Sequence, residues 1–285
     1  MAENNGSQFP KLVKNRKRFD QILRALMKYG LADWVGDWNP EYVKGLFRTD
    51  QGQDVRALPP ARRLRLALTE LGTTFIKLGQ ALSTRSDLVG PDTARELEKL
   101  QSGTPADPEA YVRQTIVDEL SQPPEDLFQN FSPSPMASAS IGQVHGATLK
   151  DGTRVVVKIQ HQGIEEKIRG DLDILDALAA IAERHSAEMR LYQPQALMAE
   201  FRRTLLREVD FKREQMNLQR FDRNFERDPG IHFPRVYPEL STSKVLTMER
   251  LDGFSLADEE QLESSGLDSK RIAERGATAY LDMIF

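Results

Sequence analysis

Lys158 closes the apolar run Val155-Val156-Val157. A lysine fixed at the end of such a strand is a positioned cation, and its natural partners are a phosphate or a carboxylate. Glu208 offers the carboxylate. It falls on the helical stripe Leu197, Phe201, Leu205, where the period asks for an apolar residue. A carboxylate on a buried stripe requires a cation, so a Lys158–Glu208 pair is predicted. The alternative is a local pair of Glu208 with Arg207 or Lys212 on a solvated face. Asp210 follows two residues later. A strand lysine oriented by a helix glutamate is a device for holding the phosphates of ATP.

A second lysine lies far upstream. Lys77 and Gln80 are three apart on a polar stripe, Thr73, Lys77, Gln80, Thr84, opposite the apolar stripe Leu71, Phe75, Leu78, Leu82. Their side chains can reach one target together. Gly72 and Gly79 sit in the predicted interior of this helix, where each costs about 1 kcal/mol against alanine. Close packing on another backbone would explain them; ordinary solvated surface is the other reading of the stripe.

These residues need a frame. Ile141–Leu149 and Thr153–Gln160 read as strands joined by Lys150-Asp151-Gly152, and Asp-Gly between two such runs signals a hairpin. Ahead of it runs Ala137-Ser138-Ala139-Ser140-Ile141-Gly142-Gln143-Val144-His145. Where protein kinases cover the phosphates with a glycine-rich loop, this stretch has alanines, which resist positive φ and predict a stiffer loop. Serine hydroxyls add possible phosphate contacts; alone, the stretch also reads as a plain turn. Val245 to Met248 is a strand running into Glu249-Arg250-Leu251-Asp252-Gly253, with backbone groups of Glu249 and Leu251 suited to an adenine edge, or else an ordinary strand exit.

Helices are predicted at about 19–29, 60–86, 91–101, 108–120, 163–190, 194–225 and from 268 onward, with short strands at 233–237 and 244–248. That order is α+β with a small antiparallel sheet. The 285 residues carry a net charge of −4, which gives no footprint for nucleic acid. There is no cysteine, so disulfides and thiolate sites are excluded. The four histidines form no ligand-spaced pair, and no metal site is predicted. Residues 1–9 are polar, with no signal-peptide core, and no transmembrane run is visible.

Lys77-Leu78-Gly79-Gln80 matches the KxGQ motif of the AarF/UbiB family of atypical kinases. The alanine-rich loop with Ile141-Gly142-Gln143-Val144-His145, Val156-Val157-Lys158, Glu208-Val209-Asp210 (an ExD motif) and Met248-Glu249 also resemble that family, in its order. The likeness spans about Arg62 to Phe285. It implies a protein-kinase-like N-lobe over 106–248, a helical extension over 61–105 carrying KxGQ, a helical segment over 1–60, and a hinge and truncated C-lobe over 249–285. It implies ATP or ADP as ligand, held by Ala137 to Ile141, Gln143, Val156, Lys158, Met248, Glu249 and Leu251. Lys158, Glu208, Asp210, Lys77 and Gln80 would shape the catalytic cleft, with the KxGQ helix folded over it as a gate. Eukaryotic members support coenzyme Q synthesis, which implies a lipid or quinone-intermediate surface and partners in a quinone biosynthesis complex.

One departure is large. No Asp-x4-Asn pair or DFG-like aspartate occurs in the sequence, so the Mg²⁺ ligands of a full-length parent are absent and a fragment inactive alone is expected. The alternative is a non-catalytic nucleotide-binding or scaffolding module. A cytoplasmic chain is expected, peripheral on the inner membrane face if the basic helix after Lys11 and Lys14, followed by Trp34, Val35 and Trp38, lies on anionic lipid. The same helix could equally pack on the lobe.

Overall fold

In the computed structural model of the protein, residues 15–31, 55–101, 103–185 and 187–284 are described. Helix α1 spans Arg16–Lys28; α2, Pro60–Leu71; α3, Thr73–Ser83; α4, Ser86–Val89; α5, Pro91–Leu97; α6, Glu109–Leu120; and α7, Pro124–Leu127. The strands β1 (Asn130–Phe131), β2 (Ala137–Ser138), β3 (Gly142–Thr148) and β4 (Arg154–Gln160) follow. Then come α8 (Ile164–His185), α9 (Ala187–Leu191), α10 (Pro194–Val209), α11 (Phe211–Asn224), β5 (Val245–Glu249), α12 (Glu259–Ser264) and α13 (Ser269–Ile284).

The sheet is antiparallel, in the order β1-β3-β4-β5, with β2 also paired to β3. The β3–β4 hairpin turns where the sequence places it. Gly152 has φ +88°, a region that favours glycine, and the Asp151 carboxylate accepts from the Thr153 N–H at 2.9 Å.

Strict alternation along β3 and β4 gives the sheet two unlike faces. Ala147, Val155, Val157 and Ile159 are buried against Val112 and Ile116 of α6 and Phe128. Val144, Gly146, Val156 and Lys158 occupy the other face and are only partly covered. A second core unites α1, α2, α3, α5, α8 and α10 through residues such as Ile22, Leu68, Phe75, Leu97, Ile168, Leu172 and Leu205. The N-terminal helices therefore pack into the same core as the helices behind the sheet.

Three expected helices are interrupted. The run 60–86 breaks at Gly72, whose φ of +87° ends α2 and starts α3. Gly72 is thus a corner rather than an interior glycine. Arg18 of α1 holds that corner, donating to the Leu71 carbonyl at 2.6 Å and pairing with the fully buried Asp171 of α8. The run 194–225 breaks at Asp210, and 163–190 divides into α8 and α9. The strand expected at 233–237 is reduced to one bridge, Val236 to Met248; Pro234 and Pro238 lack the N–H that a ladder needs.

Helix α1 buries Ile22, Leu23 and Ala25, and Tyr29 at its C-terminal end is buried with them. These residues face the core, as the packing alternative expects. Lys11, Lys14, Trp34, Val35 and Trp38 lie outside the described residues.

Candidate functional site

Lys158 projects from the partly open sheet face opposite Leu246 of β5. Its ammonium pairs with Glu214 of α11 at 2.7 Å and lies 4.6 Å from the centre of the Phe211 ring. The predicted partner Glu208 is not the one used. The reason is local. Asp210 leaves helical geometry at φ −84°, ψ 101°, and its carboxylate caps α11 by accepting from the Lys212 N–H at 3.1 Å. The break resets the helical register, so α11 aims Glu214 at the sheet.

Glu208, at the end of α10, is exposed rather than buried and pairs with Lys77 of α3. Such a half-exposed pair contributes about 0–1 kcal/mol. It links the KxGQ helix to the ExD segment as the gate reading expects, weakly enough to be undone. Gln80 departs from expectation. Its amide donates to the Leu100 carbonyl at 3.1 Å, so it fastens α3 to the segment after α5 instead of joining Lys77. Gly79 is closely packed, but on side chains rather than on another backbone: a Cβ there would lie 2.3 Å from Leu100 Cδ1 and 2.8 Å from Leu68 Cδ1.

The alanine-rich loop is a tight β2–β3 connection. Gly142 at its base is required, because a Cβ would stand 2.4 Å from the Ile159 carbonyl oxygen. Ala137 and Ala139 are exposed, Ser138 is half-buried, and Ser140 and Ile141 are buried. Gln143 was expected to touch nucleotide, but it is fully buried on the far face. It accepts from the Asp107 N–H at 2.6 Å and bonds His145 Nε2 at 2.9 Å. His145 donates through Nδ1 to the Ser132 carbonyl at 2.8 Å, and burial holds its pKa below the usual imidazole value.

Within the sheet, Val156 faces Met248 across the β4–β5 ladder and Gly146 across β3–β4. The space above Gly146 on this face is taken by the Met136 side chain, whose Sδ would stand 3.3 Å from an added Cβ. The Glu249 side chain is occupied: it accepts from the Arg235 N–H at 3.1 Å and from His232 at 2.9 Å. The first of these bonds, aided by His232, lowers its pKa. Leu251 is exposed beyond the strand. Sequence reasoning missed Glu214 and Gly146. The Asp210 cap type was a readable sign of a helix restart that would have exposed Glu214; Gly146 carried no local signal.

A family model described as the ABC1 atypical kinase-like domain matches residues 99–285. The chain belongs to this AarF/UbiB family. A relative from Marinobacter nauticus named "Probable protein kinase UbiB" is 41% identical over 223 residues, covering 78% of this chain and 41% of its own length. Another so named, from Shewanella piezotolerans, is 35% identical over 281 residues, covering 96% and 50%. The chain thus spans about half the length of the curated relatives it matches. A solved structure described as the complex of Rv3197 with erythromycin from Mycobacterium tuberculosis aligns at 31% identity and a TM-score of 0.49, covering 67% of this chain and 48% of that one. In this ABC1 chain, no group of three His, Asp or Glu side chains among the described residues is arranged to hold a metal ion. Nor is any helix among them long and apolar enough to cross a membrane.

Proposed function

We propose that these residues form the ATP- or ADP-binding lobe of an atypical kinase or ATPase, gated by α3. The observation that carries the reading is Lys158, salt-bridged to Glu214 on the partly open sheet face beside Val156, Gly146 and Met248. A cation fixed by a helix carboxylate can hold α- and β-phosphates, and the apolar strip beside it suits a purine. Lys77 with Glu208 supports the gate. No group of three His, Asp or Glu side chains among the described residues is placed to hold Mg²⁺, and no step is assigned to a metal.

Without an Asp-x4-Asn pair the sequence holds no group to orient an acceptor. That favours, as a second reading, nucleotide binding without chemistry by these residues. Service to quinone-lipid biosynthesis, with a lipid or quinone-intermediate partner, follows from the family resemblance alone. Calorimetric titration with ADP tests the site. Lys158→Met should weaken binding at least tenfold at an unchanged melting temperature; equal affinity would refute the assignment. Residues 1–285 alone should show no ATP turnover that Lys158→Met abolishes.

A further inference from the structure

His161 follows β4 and is buried, 5% exposed. Its Nδ1 meets the Asp107 carboxylate at 2.6 Å and its Nε2 meets the Ala139 carbonyl at 2.9 Å. A carboxylate and a backbone carbonyl therefore flank the two ring nitrogens. Ser138 Oγ stands further off, at 3.4 Å from Nε2. Asp107 also accepts from the Gln162 N–H at 3.3 Å, and its own N–H is held by Gln143.

The loop tip between β2 and β3 is Ala139-Ser140-Ile141, and each of its carbonyls is engaged. Ala139 accepts from the His161 ring, Ser140 from the Thr73 hydroxyl at 2.9 Å, and Ile141 from the His161 N–H at 2.9 Å. In a trans peptide the N–H points opposite to the carbonyl of the same plane. Anchoring the Ala139 and Ser140 carbonyls therefore turns the Ser140 and Ile141 N–H groups away from their anchors. Among the described residues, neither of these N–H groups donates to another part of the chain. Adjacent N–H groups of this kind suit an anion.

We propose that His161 and Asp107 are positioning residues. Together they clamp the alanine-rich tip, with Thr73 on the neighbouring carbonyl, in the shape that presents its N–H pair to a nucleotide phosphate. The clamp supplies by hydrogen bonding the loop geometry that glycines supply by conformational freedom elsewhere. Its phosphate role rests on the nucleotide reading above; the clamp itself does not.

The test compares the full chain with His161→Phe, which keeps ring bulk, and Asp107→Asn, which keeps shape. Two readouts are taken: amide hydrogen exchange over residues 137–142, and calorimetric affinity for ADP and for adenosine. Both variants should exchange faster at 137–142. They should lose about tenfold or more in ADP affinity, the scale of one charge-assisted hydrogen bond, with adenosine affinity unchanged. If His161→Phe fails to fold, Asp107→Asn carries the comparison. Unchanged exchange in a folded variant overturns the clamp, whatever the ligands do. Equal weakening of ADP and adenosine also overturns it, since that marks general loosening. Faster exchange in a chain that binds neither ligand upholds the clamp and rejects the nucleotide reading.

Discussion

Glu208 and Glu214 are six residues apart, one on each side of the break at Asp210, and they face different lysines. Glu214 meets Lys158 on the sheet, close to the ring of Phe211. Glu208 meets Lys77 on α3, with its carboxylate open to solvent. An unbroken helix would separate the two carboxylates by about 120° around its axis, with no freedom to adjust either. A single capped residue out of helical geometry lets one segment serve two partners. One pair is anchored to the sheet; the other fastens a helix that belongs to the N-terminal extension.

The largest expected effect strikes the seat of α3 rather than either pair. Gly79→Val drives a side chain into Leu100 and Leu68, and such overpacking costs about 1–3 kcal/mol. Denaturant unfolding should report that loss. ADP affinity, referred to the folded fraction, should not fall, because Lys158 stands on another element.

Asp210→Ala removes the cap common to both registers. The expected cost is about 1 kcal/mol, read in the same denaturant experiment. A variant as stable as the parent would show that the break needs no cap.

The sheet side should also carry a pH signature. His145 is buried beneath it with its pKa lowered. An unfolded chain therefore takes up a proton that the folded chain resists, so stability should fall as pH drops below about 6.5, the unfolded histidine value. The decline should continue through the lowered folded pKa. His145→Gln should flatten this slope, whereas Lys77→Met should not. Identical slopes in parent and His145→Gln would place the acid sensitivity elsewhere.

Smallest is the gate pair. Lys77→Met should change stability by less than about 1 kcal/mol and leave ADP affinity equal or higher, since it frees α3. A marked loss of ADP affinity would make Lys77 a ligand rather than a latch.

The difference between the two pairs also explains what could be read from sequence. The β3–β4 hairpin and Lys158 were legible because Asp151-Gly152 and the Val155–Val157 run are local signals. Lys77 was legible through its polar stripe and the glycine beside it. The partner of Lys158 was not, since the stripe of Leu197, Phe201 and Leu205 continues at the buried Val209 rather than at Glu208, and the register restarts after Asp210. Gly72 misled in the same way: counted as helix interior, it is the corner that sets the start of α3. Gln143 was misassigned because alternation places it on the α6 side, where the buried link to Asp107 depends on residues 36 positions away. Local patterns announce elements; they do not announce contacts made by their ends.

The most direct test sets Glu214→Gln beside Glu208→Gln and measures ADP affinity for each by calorimetry. Glu214→Gln should weaken binding about tenfold, the scale of a lost charged hydrogen bond, in step with Lys158→Met, whereas Glu208→Gln should leave it equal or tighter, in step with Lys77→Met. Loss of affinity in Glu208→Gln with none in Glu214→Gln would contradict the division of the two pairs.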